Sequence, residues 1–183
     1  MSGLEDLYRE IILDHYRSPR NRGELPSPPA ERVEAFNPLC GDEVVVYLQV
    51  DDGVLSDIRI SGQGCSISQS SASLMSAAVK GKPVNEVRDL IKTFKSMMSI
   101  HESHLGTGAG GEDRDGTASQ DGEDRGGTED EGVLIDPEAM GELAALQGVV
   151  KFPVRIKCAT LSWNALAQGL DEAASAGDVG TTD

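Results

Sequence analysis

The sequence predicts an α+β fold in which a small three-stranded antiparallel sheet is covered by helices. Apolar and polar residues alternate along residues 44–50 and again along 54–60, as they do in half-buried strands. Apolar residues also recur every three or four positions along 4–15, 67–79 and 84–98, which is typical of amphipathic helices. With 38% apolar residues, the chain of 183 residues can bury one modest core.

The N-terminal segment predicts a helix followed by a short strand. The apolar stripe begins at Leu4 and reaches His15, and it ends before Ser18-Pro19, because a residue that precedes proline is pushed out of the helical region. A proline-rich stretch follows, and residues 32–36 then form the first candidate strand. We therefore expect one helix to precede the sheet.

The next two strands predict a hairpin with a three-residue loop, 51–53. That loop length places Val50 opposite Val54, and it gives the further pairs Val46 with Ile58 and Val44 with Ile60. A two-residue loop would put residues from opposite faces of the sheet in register. Gly53 suits the left-handed position that a three-residue turn requires.

The remaining periodic segments predict helices that cover the sheet. One helix runs along 67–79 and ends at Gly81, and Pro83 opens the next. Further along, Asp136-Pro137 predicts the cap of a short helix that ends at Leu146. Residues 152–156 are expected to be extended, and a C-terminal helix is marked by Leu161, Ala165, Leu166 and Leu170.

The charge of the chain and the lengths of its apolar runs disfavour two classes of partner, nucleic acids and membranes. Lys and Arg number 16 against 31 Asp and Glu, so the formal net charge is −15, which disfavours binding to nucleic acid. A run of about 18 apolar residues that could span a membrane is absent, and residues 1–10 lack the pattern of a secretory signal. We expect a cytoplasmic protein that binds neither nucleic acid nor membranes.

Nearly half of that charge lies in one segment, residues 106–132. It holds nine glycines, nine acidic residues and two arginines, a net charge of −7. Such a composition cannot offset the entropy of ordering the chain and predicts a flexible acidic insertion. We expect residues 1–183 to form one domain that this insertion interrupts, with a disordered C-terminal tail at 173–183.

The three cysteines, Cys40, Cys65 and Cys158, all fall at the predicted ends of strands and helices. In a reducing compartment their wide spacing argues against a disulfide framework and leaves burial, metal binding or thiol chemistry. Glycines beside Cys40 and Cys65 permit tight turns around a shared point. Asp42 offers a carboxylate in the turn that carries Cys40.

Together these residues make a candidate zinc site. Three thiolates and one carboxylate are a tetrahedral set suited to zinc. With the divalent metal such a site carries an excess of negative charge. Arg155 and Lys157, on either side of Ile156 and close to Cys158, are candidate residues for compensating it.

Three motifs in order resemble those of SufU-type proteins in the IscU-like superfamily of iron-sulfur cluster assembly. They are NPLCGD at 37–42, GQGCSISQSSAS at 62–73 and RIKCATLSW at 155–163, and the opening LEDLYREIILDHY at 4–16 also fits. The similarity extends over residues 4–105 and 133–172.

The resemblance implies a zinc-bound sulfur acceptor with its ligands at Cys40, Asp42, Cys65 and Cys158. In that family a SufS-type cysteine desulfurase forms a persulfide and passes its sulfur on, towards the SufBCD scaffold. The resemblance assigns the acceptor role to Cys40 and a supporting or partner-binding role to Arg155 and Lys157. The chain is then a sulfur-transfer partner of a desulfurase rather than a stand-alone enzyme.

Two departures favour the SufU branch over the IscU scaffold branch. Scaffold-type members carry a histidine directly before the last cysteine, where this chain has Lys157. They also carry a chaperone-binding Leu-Pro-Pro-Val-Lys motif, where this chain reads FPVR at 152–155. Two alternatives stay open: a scaffold for iron or a transient iron-sulfur cluster on the same ligands, and a structural zinc module without sulfur chemistry.

Overall fold

The computed structural model describes residues 3–105 and 140–178. Its elements follow in the order α1 (Gly3–Arg17), β1 (Glu31–Asn37), β2 (Asp42–Asp51), β3 (Val54–Gln63), α2 (Ser66–Val79), α3 (Val84–Leu105), a 3-10 helix (Gly141–Lys151) and α4 (Pro153–Asp178). The strands form one antiparallel sheet in the order β1-β2-β3. The predicted α+β class, with a three-stranded sheet and covering helices, is confirmed.

The predicted register of the β2–β3 hairpin is wrong. Asp51 pairs with Val54, so the turn has two residues, and both of these have positive φ: 50° at Asp52 and 75° at Gly53. That combination is the one that two-residue hairpin turns favour. A bulge after the first two pairs then skips Ser56, so that the apolar residues further along β2 and β3 still share one face.

The helices and the sheet enclose a single core. α4 packs on β1 and β2, α2 packs on β3 and α4, and α1 and the 3-10 helix cover α2. Trp163 of α4 stacks on Phe94 of α3 with ring centroids 4.2 Å apart, and its Nε1 donates a hydrogen bond to Ser71 Oγ at 3.1 Å. Pairing the indole N–H in this way allows the largest side chain of the core to be fully buried.

The C-terminal region departs from the prediction. Residues 153–156 are helical rather than extended, because Pro153 occupies the first helical position, where its fixed φ is favourable and its missing N–H costs nothing. The helix that precedes α4 is a 3-10 helix that ends at Lys151 rather than at Leu146. α4 itself continues to Asp178, so the boundary of 173 for a disordered tail is too early.

Other predictions fall outside the described residues. These are the acidic insertion 106–132, the cap Asp136-Pro137 and residues 179–183 of the tail. Among the helices that are described, none combines the length and the apolar character needed to cross a membrane.

Candidate metal centre

The turn between β1 and β2 carries Cys40 and Asp42. It is closed by a hydrogen bond from Gly41 N to Asn37 O at 2.8 Å, and the φ of Gly41 is +68°, a value that glycine adopts without strain. Cys40 is partly exposed on this turn. Asp42 is the first residue of the central strand β2 and is fully buried, so its carboxylate is held at one end of the sheet.

Cys65 lies between β3 and α2, as the N-cap of that helix. Its Sγ accepts a hydrogen bond from Ser68 N at 3.5 Å, and its own N–H donates to Asp42 Oδ1 at 2.8 Å. Gly64 makes this close approach possible, because a Cβ there would lie 2.5 Å from Asp42 Oδ1. The glycine of this motif is therefore needed to bring the second thiol against the carboxylate.

Cys158 reaches the same place from α4. The sequence predicts Cys158 at the start of a helix, but it lies in the second turn of α4 and is fully buried. Its Sγ is 3.5 Å from Cys40 Sγ and 3.8 Å from Asn37 Nδ2. The third thiol is thus fixed by a helix that packs across the sheet.

The four residues predicted as ligands meet at one end of the sheet. The ligand atoms of Cys40, Asp42 and Cys158 all lie within 4.8 Å of one another. Cys65 stands beside this group of three rather than within it, with its Sγ 3.5 Å from Asp42 Oδ2. Asp42 therefore links the two halves of the cluster.

The electrostatics of this cluster favour a bound cation. Burial raises the pKa of the Cys158 thiol, and the neighbouring Asp42 and Cys40 raise that pKa further. When ionised, the thiols and the carboxylate repel one another, and a divalent metal ion bound between them offsets that repulsion. The 3.5 Å between the two sulfur atoms is also close to the edge of about 3.8 Å that a tetrahedron with Zn–S bonds of about 2.3 Å has.

The two basic residues predicted to support the site occupy different places. The neighbouring Cys65 and Cys158, Cys65 the more strongly, raise the pKa of the exposed Arg155 guanidinium, so this cation lies near the thiols. Lys157 instead lines a cavity of about 290 Å³ next to the Cys40 turn. Of the two, Arg155 has the geometry to compensate the charge of the cluster.

Two features of the site were missed in the sequence. Six large apolar side chains are exposed in the described residues, and Phe36, Leu39, Phe152 and Val154 are four of them. Phe36 and Leu39 line the cavity beside the Cys40 turn. Phe152 directly precedes α4, the helix that carries Cys158, and Val154 lies in its first turn. We call these four exposed side chains the apolar rim. Asn37, which contacts Cys158, was also missed; the Asn-Pro pair before Cys40 was its signal.

The chain is similar in sequence to proteins of iron-sulfur cluster assembly. A family model described as "NifU-like N terminal domain" matches residues 7–113. The zinc-dependent sulfurtransferase SufU of Bacillus subtilis (strain 168) is 37% identical over 169 residues, with 92% of each chain covered. The iron-sulfur cluster assembly scaffold protein IscU of Streptococcus pyogenes serotype M1 is 32% identical over 176 residues, which cover 96% of this chain and 90% of that protein.

A solved structure agrees with these relatives. It is described as a putative iron-sulfur cluster assembly scaffold protein for the SUF system from Fervidobacterium islandicum AW-1, and it superposes with a TM-score of 0.65 at 26% identity. The superposition covers 88% of this chain and 94% of the other. The likeness therefore extends over nearly the whole fold.

Proposed function

The chain belongs to the NifU-like N-terminal domain family, and on that premise we propose that it is a zinc-dependent sulfur carrier in iron-sulfur cluster assembly. It takes sulfane sulfur from a SufS-type cysteine desulfurase through Cys40 and passes it towards the SufBCD scaffold. We place this transfer in the cytoplasm, where thiols stay reduced.

The observation that carries the proposal is the convergence of the four candidate ligands at one end of the sheet. The three thiols differ in how they are held. Cys65 caps α2 and Cys158 is buried on α4, whereas Cys40 is partly exposed on a turn. Cys40 is therefore the thiol that can move towards a donor without unfolding a helix.

Cys40, Asp42, Cys65 and Cys158 fit a zinc ion by the chemistry of their donor atoms and would hold it. When bound, zinc keeps thiols deprotonated and shields them from oxidation. The chain's own residues supply the rest of the site: Asp42 anchors the N-terminus of α2 through Cys65 N–H, and Arg155 lies near the thiols with a fixed positive charge.

The sulfur transfer itself is a thiolate exchange on the donor's persulfide. The Cys40 thiolate attacks the outer sulfur of the protonated persulfide, and a new S–S bond forms at Cys40. The S–S bond of the donor breaks, and its inner sulfur leaves as a thiolate with the electron pair. The proton stays on the transferred sulfur, so charge and electrons balance without an external oxidant or reductant.

The rim of Phe36, Leu39, Phe152 and Val154 gives the donor a place to dock. Apolar side chains around a site exclude water when a partner covers them. Lys157 lies beside this rim in the adjoining cavity, where it adds a positive charge for an acidic partner surface. The rim therefore supports a protein as the donor, in preference to a small molecule.

Desulfurase turnover tests the proposal. The zinc-loaded chain should stimulate a SufS-type desulfurase, and Cys40→Ala should abolish that stimulation while the protein remains folded. Ser56→Ala is the control, because it changes an exposed hydroxyl at the hairpin end of the sheet and should stimulate like the wild type. Undiminished stimulation by Cys40→Ala would exclude Cys40 as the acceptor.

A second candidate function, a scaffold for an iron-sulfur cluster, is favoured by the relatives that carry that name. It uses the same ligands with the cluster as cargo. Anaerobic reconstitution with iron and sulfide separates the two functions. A stable cluster that can be handed to an acceptor protein supports the scaffold, whereas labile, substoichiometric iron supports the sulfur carrier.

A further inference from the structure

Asn37, the last residue of β1, contacts two parts of the site at once. It is 6% exposed. Its Oδ1 accepts a hydrogen bond from Leu39 N at 3.2 Å, within the turn that carries Cys40, and its Nδ2 points to Cys158 Sγ at 3.8 Å. One side chain thus connects the Cys40 turn with the helix that carries Cys158.

The residue type and its position both matter for this connection. A carboxamide carries an acceptor and a donor on one short side chain, so it can cap the turn with its oxygen while its nitrogen faces a sulfur atom. Asn37 also pairs with Asp42 across the β1–β2 ladder. Because both residues lie on the same rung, the amide is held at the level of the candidate ligands.

Sulfur transfer requires that the donor reacts with Cys40 and not with Cys158, the two thiols nearest to Asn37. Cys40 Sγ and Cys158 Sγ are 3.5 Å from each other, so a sulfur donor that reaches one sulfur atom is close to the other. Cys158 is buried and Cys40 is partly exposed. Selection between them therefore depends on whether Cys158 is kept in its buried position.

We propose that Asn37 is the positioning residue that makes Cys40 the thiol that moves. Its Nδ2 holds the Cys158 sulfur in place at the end of the sheet. Its Oδ1 fixes the turn from which Cys40 moves towards the donor. The inference rests on the proposed sulfur transfer, and it adds a residue that acts through its two neighbours rather than on the donor.

Two variants separate the two contacts of the amide. Asn37→Ser keeps an oxygen that can cap the Leu39 N–H, as serine does in comparable turns, but its side chain is too short to reach Cys158. Asn37→Ala loses both contacts. Asn164→Ala is the matched control, because Asn164 is an exposed asparagine of α4 that lines the same cavity as Asn37.

Pulsed alkylation of the full-length, zinc-loaded chain with iodoacetamide measures how accessible each thiol is, and it needs no desulfurase. In the wild type and in Asn164→Ala, Cys40 should be labelled before Cys158. In both Asn37 variants the labelling rate of Cys158 should rise by about tenfold, the factor for losing one hydrogen bond to a charged group. A Cys158 rate unchanged in Asn37→Ala and Asn37→Ser would overturn the inference.

The location of sulfur after one desulfurase turnover reads the consequence. Peptide mass spectrometry should find the added sulfur on Cys40 in the wild type, and divided between Cys40 and Cys158 in both Asn37 variants. Retention of all sulfur on Cys40 in both variants would overturn the role of Asn37 and leave the proposed function standing. A wild-type chain that takes up no sulfur would instead overturn the proposed function.

Discussion

Two polar clusters, each with a buried member, lie along α2, and they differ in how their charges and hydrogen bonds are balanced. The thiol cluster, Cys40, Asp42, Cys65 and Cys158, gathers acidic groups at the N-terminus of the helix. The histidine cluster, formed by His15, Ser73 and Glu142, lies further along the same helix. His15 is 1% exposed, with Nδ1 2.7 Å from Ser73 Oγ and Nε2 3.1 Å from Glu142 Oε2.

In the histidine cluster every donor has an acceptor. His15 Nε2 pairs with Glu142 Oε2, and His15 Nδ1 pairs with Ser73 Oγ, so both ring nitrogens have a partner. Ser73 Oγ accepts in turn from Arg20 N at 2.8 Å. This cluster is complete without a ligand and ties α1, α2 and the 3-10 helix together.

The thiol cluster lacks such a balance, because its members bring negative charge to one place. Arg155 supplies one positive charge from an exposed position, and the remaining charge calls for a metal ion. The comparison teaches that burial of polar groups does not by itself mark a functional site. The thiol cluster is distinguished as a candidate site by negative charge that the neighbouring side chains do not compensate.

Of the substitutions that distinguish the two clusters, Asp42→Asn is expected to have the largest effect on zinc affinity. Structural zinc sites contribute about 10–16 kcal/mol through four ligands, so weakening one should lower zinc affinity by roughly a hundredfold. The asparagine oxygen can still accept from Cys65 N–H, so the unfolding temperature of the metal-free chain should barely change. Competition with a chromogenic chelator measures the affinity, and wild-type affinity in this variant would remove Asp42 from the ligand set.

An effect of comparable size, on folding rather than on zinc affinity, is expected in the other cluster, in His15→Ala. Removing a buried side chain and leaving the Ser73 hydroxyl without its partner should lower the free energy of unfolding by about 2–4 kcal/mol. Zinc affinity should stay at the wild-type value. Urea unfolding and the same chelator competition check both statements, and a loss of zinc by the folded variant would show that the two clusters are coupled.

The smallest effect is expected in Asp14→Asn, at the surface near the histidine cluster. The Arg20 guanidinium, 2.6 Å away, holds the pKa of the Asp14 carboxyl below its usual value of 3.8. A lowered pKa means that this pair contributes stability above pH 3.8 and loses that contribution as the pH falls through the folded-state value.

Urea midpoints of the wild type and Asp14→Asn should therefore differ slightly at neutral pH. Both side chains are largely exposed, so the difference is that of a surface ion pair. Well below pH 3.8 the two midpoints should coincide. A difference that persists in acid would assign the effect to a contact other than the ion pair.

The sequence predicts the thiol cluster better than it predicts the histidine cluster. Cys40, Asp42 and Cys65 stand in glycine-containing motifs, so their chemistry is visible in short segments. His15 looks like one more member of an apolar stripe, because its partners lie 58 and 127 residues away in the chain. Periodicity carries no information about such long-range pairs.

The fold shows the same limit. Alternation fixed the strands of the hairpin, but the bulge at Ser56 allowed a two-residue turn that simple alternation disfavours. The sequence around Pro153 predicts an extended segment, but proline is equally suited to the first position of a helix, which is where the structure places it. Both errors arose where one residue type is compatible with two local structures and tertiary packing selects one of them.

The location of the transferred sulfur tests the central claim most directly. The zinc-loaded wild-type chain is allowed one turnover with a SufS-type desulfurase and cysteine, and its peptides are then analysed by mass spectrometry without reduction. We predict one added sulfur on the peptide that contains Cys40. Sulfur found on Cys65 or Cys158 instead, or on none of the three, would contradict the assignment of Cys40 as the acceptor.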